Sequence, residues 1–144
     1  MQHHQQEEEI HETERNIVAK LLPITEESIR ECGERISSGK LVAFPTETVY
    51  GLGADASNEK AVRSIFEAKG RPFTDPVIVH IATWELFDRV ILDSPEKELI
   101  KYLGSKLWPG PLTLIGPCNT DFIPAIVGSN TGSVGVRWPR NETA

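Results

Sequence analysis

Leu41-Val42-Ala43-Phe44-Pro45-Thr46-Glu47-Thr48-Val49-Tyr50-Gly51-Leu52-Gly53 joins an apolar run to hydroxyls, one acid and two glycines. Leu41–Phe44 reads as a short buried strand. Pro45 and the glycines interrupt regular structure after it. Thr46, Thr48 and Tyr50 add positioned hydroxyls that no core requires. A polar loop leaving a buried strand is where α/β proteins hold ligands. Residues 41–53 therefore predict a fold of strands and helices, with a binding loop at the end of one strand.

Both flanks continue the alternation. Upstream, Thr25 caps a helix whose Ile29, Cys32 and Ile36 recur at helical spacing, and Gly39 ends it. Downstream, Asn58 or Ser57 caps a helix with Ala61, Val62, Ile65 and Phe66 on its inner face. That helix stops at Lys69-Gly70-Arg71-Pro72. Pro76–Ile81 is a continuous apolar strand with His80 near its end. Two further helices fall at about 83–91 and 95–107, the second opening at Ser94-Pro95 with Glu96 in its first turn. Trp108-Pro109-Gly110-Pro111 is a rigid turn into a strand at Leu112–Ile115. Residues 122–127 are apolar without a deciding period. Ser133–Trp138 alternates like a strand, with Ser133 and Arg137 on one face. Strands interleaved with helices predict an α/β sheet covered by helices, a single domain over residues 16–144. Residues 1–15, rich in Glu, read as a solvated, disordered lead-in.

Composition removes several function classes. The net charge of −6 argues against nucleic acid as a partner of the whole surface and leaves room only for a local basic groove. No apolar run reaches the roughly 18 residues of a membrane span. Cys32 and Cys118 show neither metal nor redox spacing and fit a reducing compartment, which makes the cytoplasm the expected location. The N-terminus resembles neither a secretory signal nor a transit peptide. There is no GxxxxGK[ST] loop, Gly51-Leu52-Gly53 lacks the third glycine of a dinucleotide fingerprint, and no Ser is framed as a nucleophile elbow. His3 and His4 read as solvated, and Asn141-Glu142-Thr143 as a chance match to the glycosylation pattern.

The candidate site residues are cations and short polar groups. Lys69 and Arg71 can recognise an anion, or can be ordinary cations at a helix C-terminus. His80 can contact a ligand or be a hydrogen-bonded core residue, and Ser133 and Thr113 can be plain strand residues. Arg137, flanked by Val136 and Trp138, needs an anionic partner if buried, and Glu47 or a substrate can supply it. These features describe an α/β domain with an anion site, without naming a reaction.

Residues 41–53 (LVAFPTETVYGLG), 67–81 (EAKGRPFTDPVIVHI), 107–114 (LWPGPLTL) and 133–139 (SVGVRWP) resemble, in order, four signatures of the YrdC-like family of threonylcarbamoyl-AMP synthases. The resemblance runs from about residue 25 to 139. It implies an α/β fold, a twisted open mixed sheet flanked by helices around a concave, positively charged ligand cavity. It implies a nucleotidyltransferase that converts L-threonine, bicarbonate and ATP into threonylcarbamoyl-adenylate and pyrophosphate, for threonylcarbamoyl modification of adenosine 37 in tRNA. Carried over by position, it places threonine against Thr48, His80 and Arg137. It places ATP against Arg71, Asp75 and Ser133, with Lys69 adding positive charge. Mg²⁺ is expected with the triphosphate, Thr46 and Tyr50 are expected to shape the loop, and tRNA or a tRNA-modifying complex is the implied macromolecular partner. No catalytic residue is implied.

Two departures from the family pattern stand out. Asp75 occupies a position where the family usually carries Asn, and a carboxylate there repels phosphates unless a cation intervenes. The family also continues for several tens of residues beyond the Arg-x-Pro strand, to a Ser-x-Asn motif that closes the site. Only Arg140–Ala144 follow Pro139 here, so the chain reads as C-terminally truncated. The competing readings are a non-catalytic remnant that keeps part of the ligand site, an RNA-binding module of the same fold, and the carbamoyl-transfer domain of hydrogenase maturation proteins. The last lacks its usual neighbouring modules here.

Overall fold

A computed structural model describes residues 19–144 of the protein, so the lead-in predicted for residues 1–15 lies outside the described residues. The elements run α1 (Glu26–Ser37), β1 (Val42–Phe44), β2 (Gly51–Gly53), α2 (Glu59–Lys69), β3 (Ile78–His80), α3 (Trp84–Val90), α4 (Pro95–Leu107), β4 (Thr113–Pro117), a 3₁₀ turn (Ala125–Gly128) and β5 (Ser133–Arg137).

Each helix begins where a short polar side chain can satisfy a free amide. Thr25, Asn58, Thr83 and Ser94 accept hydrogen bonds from the backbone N–H groups of Ser28, Ala61, Leu86 and Lys97. A cap of this kind contributes about 1 kcal/mol. Helix α2 ends at Gly70, whose left-handed φ of 58° a side chain would strain. The ambiguous segment 122–127 becomes the 3₁₀ turn at its C-terminal end.

Two separate pieces of sheet form. Strands β1 and β2 pair antiparallel, with Val42 opposite Gly53 and Phe44 opposite Gly51. Residues 45–50 are thus the loop of a hairpin, and Gly51–Gly53 is strand rather than loop. Strand β1 is also not buried as predicted: Val42 and Phe44 are half-buried and Ala43 is exposed. Among the described residues the ribbon pairs only with itself, with no neighbour on either edge. Its glycines make room for an aromatic ring, because a Cβ on Gly53 would lie 2.5 Å from Phe44 Cε1 and one on Gly51 3.2 Å from Phe44 Cζ.

The second sheet has the order β3-β5-β4, with β3 parallel and β4 antiparallel to the central β5. One face carries Val79, Val134 and Val136 into a core with Phe66, Phe87, Ile100 and Val127. Phe87 is fully buried, edge-on to Trp84 and Trp108 at centroid distances of 5.5 and 6.2 Å. Buried Lys97 is neutralised by Asp93 at 2.9 Å and donates to the Asp88 carbonyl at 3.1 Å, as a charge in the interior requires. Strand alternation puts Ile78, His80, Thr113, Ile115, Ser133, Gly135 and Arg137 on the opposite, open face.

Candidate functional site

The open face is organised by register. His80 stands opposite Arg137 on β5, and Arg137 opposite Thr113 on β4, so one row crosses all three strands. In the next row Gly135 lies between Ile78 and Ile115. A Cβ on Gly135 would come 3.2 Å from Thr113 Cγ2, so glycine keeps the floor of this face low.

Arg137 is the hub of the row. Its side chain is only 11% exposed, and its Nη2 lies 2.7 Å from Glu47 Oε1 in the hairpin loop. Nη1 and Nη2 also approach Thr48 Oγ1 at 3.3 and 3.4 Å, and Nε donates to the Gly110 carbonyl at 3.4 Å. The hydrogen bond from Arg137 pulls the Glu47 carboxyl down to about 2, against a smaller opposing effect of burial and with help from the backbone N–H groups of Glu47 and Arg140. Glu47 is therefore ionised at neutral pH.

Thr46 sets the loop that carries both residues. Its Oγ1 donates to the Val49 carbonyl at 2.6 Å and accepts from the Thr48 N–H at 3.2 Å. The Thr46 and Thr48 hydroxyls are 3.0 Å apart. With the Thr46 proton engaged by Val49, the Thr48 hydroxyl donates to Thr46 and its lone pairs face Arg137. Tyr50, by contrast, is 74% exposed.

His80 connects this row to a second group of residues. Its ring meets Phe44 edge-on at 5.9 Å, and Nδ1 lies 3.2 Å from the Ile78 carbonyl. Desolvation, reinforced by the charge of Arg137, lowers its pKa below the ordinary 6.5, so the imidazole is neutral at pH 7. His80, Lys69 and Arg71 also line a cavity of about 560 Å³ behind the hairpin, whose wall includes Asp55, Ser57 and Ile65. Arg71 is oriented by neutral groups: Nη2 donates to the Pro76 carbonyl at 2.7 Å and Nε to that of Asp75 at 3.2 Å. No carboxylate pairs with Arg71 among the described residues.

The predicted residues thus fall into two groups. Thr48 and Arg137 are in contact, with His80 beside Arg137 in the row. Lys69 and Arg71 share the cavity that His80 also lines. Ser133 lies on the same open face as Arg137 but four residues away along β5, about 13 Å. Asp75 offers its carbonyl to Arg71 while its carboxylate makes no ion pair among the described residues. Sequence reasoning missed the Gly110 carbonyl, which the Trp108–Pro111 turn brings to Arg137, and the Phe44 ring against His80. Neither contact leaves a spacing signal, because each is set by tertiary packing between distant segments.

Residues 34–144 match the Sua5/YciO/YrdC family, whose description is telomere recombination. The chain belongs to the Sua5/YciO/YrdC family. Among its relatives, a threonylcarbamoyl-AMP synthase of Pyrococcus abyssi is 47% identical over 121 residues, which is 84% of this chain and 35% of the relative. A threonylcarbamoyl-AMP synthase of Bacillus subtilis is 42% identical over 123 residues, 85% of this chain and 35% of the relative. The α/β fold of this Sua5/YciO/YrdC chain is also that of the crystal structure of P. abyssi Sua5 complexed with L-threonine, with a TM-score of 0.78 at 46% identity over 85% of this chain and 35% of that one. The chain spans about a third of the length of these relatives. Among the described residues no helix is long and apolar enough to cross a membrane.

Proposed function

We propose that this chain forms the threonine- and ATP-binding part of a threonylcarbamoyl-AMP synthase acting in the threonylcarbamoyl modification of tRNA adenosine 37. The observation that carries the reading is the cross-strand row, in which the half-buried Arg137 fork meets the Thr48 hydroxyl with neutral His80 alongside. A planar guanidinium suits the carboxylate of an amino acid, and a hydroxyl and a neutral imidazole suit its polar head. Relatives named for this activity, and a relative solved with L-threonine, support the same assignment.

The reaction asks the protein for placement and charge more than for a nucleophile. The threonine amine condenses with bicarbonate, releasing water and giving a carbamate. A carbamate oxygen then attacks the α-phosphorus of ATP, and the bond to the β-phosphate oxygen breaks to release pyrophosphate. Arg137 and Thr48 would fix the amino acid, while Arg71 and Lys69 would hold the phosphates whose charge shifts toward the leaving group. Ser133 would serve the nucleotide from the far end of β5.

The donors also fit Mg²⁺ carried on the triphosphate. Such an ion needs only one or two protein carboxylates beside phosphates and water, and Asp75 is a carboxylate without an ion pair among the described residues, next to Arg71. Bound there, the ion would neutralise phosphate charge, and Asp75 would cease to repel the nucleotide. A cytoplasmic location and hand-over of the adenylate to a tRNA-modifying complex complete the reading.

Pyrophosphate release from ATP is the direct test. We expect release that requires both L-threonine and bicarbonate. Release at background level in their presence overturns the reading for this chain.

A further inference from the structure

The two arginines of the site differ in one respect that bears on what each can bind. Arg71 is held by the carbonyls of Asp75 and Pro76, neutral dipoles, and has no ion pair among the described residues. Arg137 is held by the Glu47 carboxylate at 2.7 Å, so that part of the site has no net charge. We infer that Glu47 is a specificity-determining residue: it makes the Arg137 subsite select a zwitterion, an α-amino acid, over a simple carboxylate or a phosphate. The inference rests on the threonine reading proposed above.

The physical basis is the sign of the local field. A partly buried guanidinium without a partner attracts any anion, most strongly the most highly charged one present, which beside ATP is the triphosphate. Pairing it with a carboxylate cancels that preference and leaves two opposite charges side by side. A ligand with a carboxylate alone gains from Arg137 and is repelled by Glu47. A ligand that also carries an α-ammonium group gains from both. Glu47 can serve both charges, because a carboxylate has about four acceptor positions and the donors from Arg137 and the backbone N–H groups of Glu47 and Arg140 leave one free.

The pair also sorts the two substrates between the two groups of residues. The triphosphate is directed to Lys69 and Arg71, where no carboxylate is ion-paired to Arg71 among the described residues, and is turned away from Arg137. This explains why an acid stands in a loop that otherwise offers hydroxyls. A role limited to bracing the hairpin against β5 would require a carboxylate but would not affect ligand choice.

The test compares L-threonine with (3R)-3-hydroxybutanoate, which is threonine without its ammonium group, by calorimetric titration of the full chain. We expect the native protein to prefer threonine by at least about tenfold. In Glu47→Gln the preference should shrink to about threefold or less, as the hydroxy acid gains and threonine loses affinity. Glu47→Asp, which keeps the charge, should keep the preference. A parallel loss of both ligands in Glu47→Gln shows that Glu47 only braces Arg137 and overturns the inference. Near-equal affinities in the native protein overturn it without recourse to any variant. Absence of threonine binding to the native chain overturns the threonine reading itself, a result distinct from the other two.

Discussion

At the scale of single residues, the site is a matter of which cation keeps its charge. Arg71 donates only to backbone carbonyls on an exposed loop, so Arg71→Ala should cost stability about 1 kcal/mol. Loss of a charged contact to phosphate costs about 1.5–3 kcal/mol, which is about ten- to a hundredfold in affinity. We therefore expect ATP affinity in that variant to fall at least tenfold while the melting temperature moves by a few degrees. Equal losses in titration and in thermal unfolding would make Arg71 a structural cation. Glu47 brings a pH dependence of its own. Its folded pKa, lowered from 4.5 to about 2 by Arg137, means that the unfolded chain binds the proton first as pH falls. Its stabilising contribution is complete above about 4.5 and fades as pH falls toward 2. Denaturant titrations across that window should show a smaller loss of stability in Glu47→Gln than in the native protein.

At the scale of elements, what positions the site is the packing beneath the open face. Row Thr113–Arg137–His80 stays level because the opposite face of the same strands presses Val79, Val134 and Val136 into the core. Phe87 lies at the centre of that layer, fully buried and edge-on to Trp84 and Trp108. Phe87→Ala leaves a cavity among rigid indoles that cannot collapse to fill it, and should cost about 3–5 kcal/mol. Urea unfolding monitored by tryptophan fluorescence measures this directly, and a loss below about 1 kcal/mol would show that the layer repacks. Much of this scale was legible in the sequence. The caps at Thr25 and Asn58, the inner face Ala61–Phe66 and the Ser94-Pro95 start are local signals, and the structure carries all of them. The burial of β1 was not legible, since an apolar run such as Leu41–Phe44 looks the same in a central strand and in a ribbon paired only with itself.

At the scale of the whole molecule, one face of the three-stranded sheet is open and carries apolar side chains. Ile78 is 47% and Ile115 71% exposed, and Ile115 lies on β4, an edge of its sheet. Exposed apolar edges template pairing with other chains. The described part of the chain should therefore associate as its concentration rises, and Ile115→Lys should reduce this association in light scattering. The same substitution is expected to leave the unfolding free energy within about 0.5 kcal/mol, as for other exposed sites. Association unchanged by the charge would place the contact elsewhere.

The sequence by itself determined the alternation of helix and strand, the residues that cap and stop each helix, the four family signatures and the candidate cations. These are all properties of neighbours along the chain, where hydrogen-bond geometry and side-chain periodicity act over a few residues. Only the tertiary structure decided that residues 45–50 close a hairpin, that Arg137, His80 and Thr113 share a row, and that Thr48, 89 positions away in the chain, and its neighbour Glu47 meet Arg137. It also separated a neutral arginine pair from an uncompensated arginine. That distinction depends on which carboxylate comes within 3 Å of which guanidinium, and this pairing follows from the packing of the hairpin loop against β5, which no local pattern encodes.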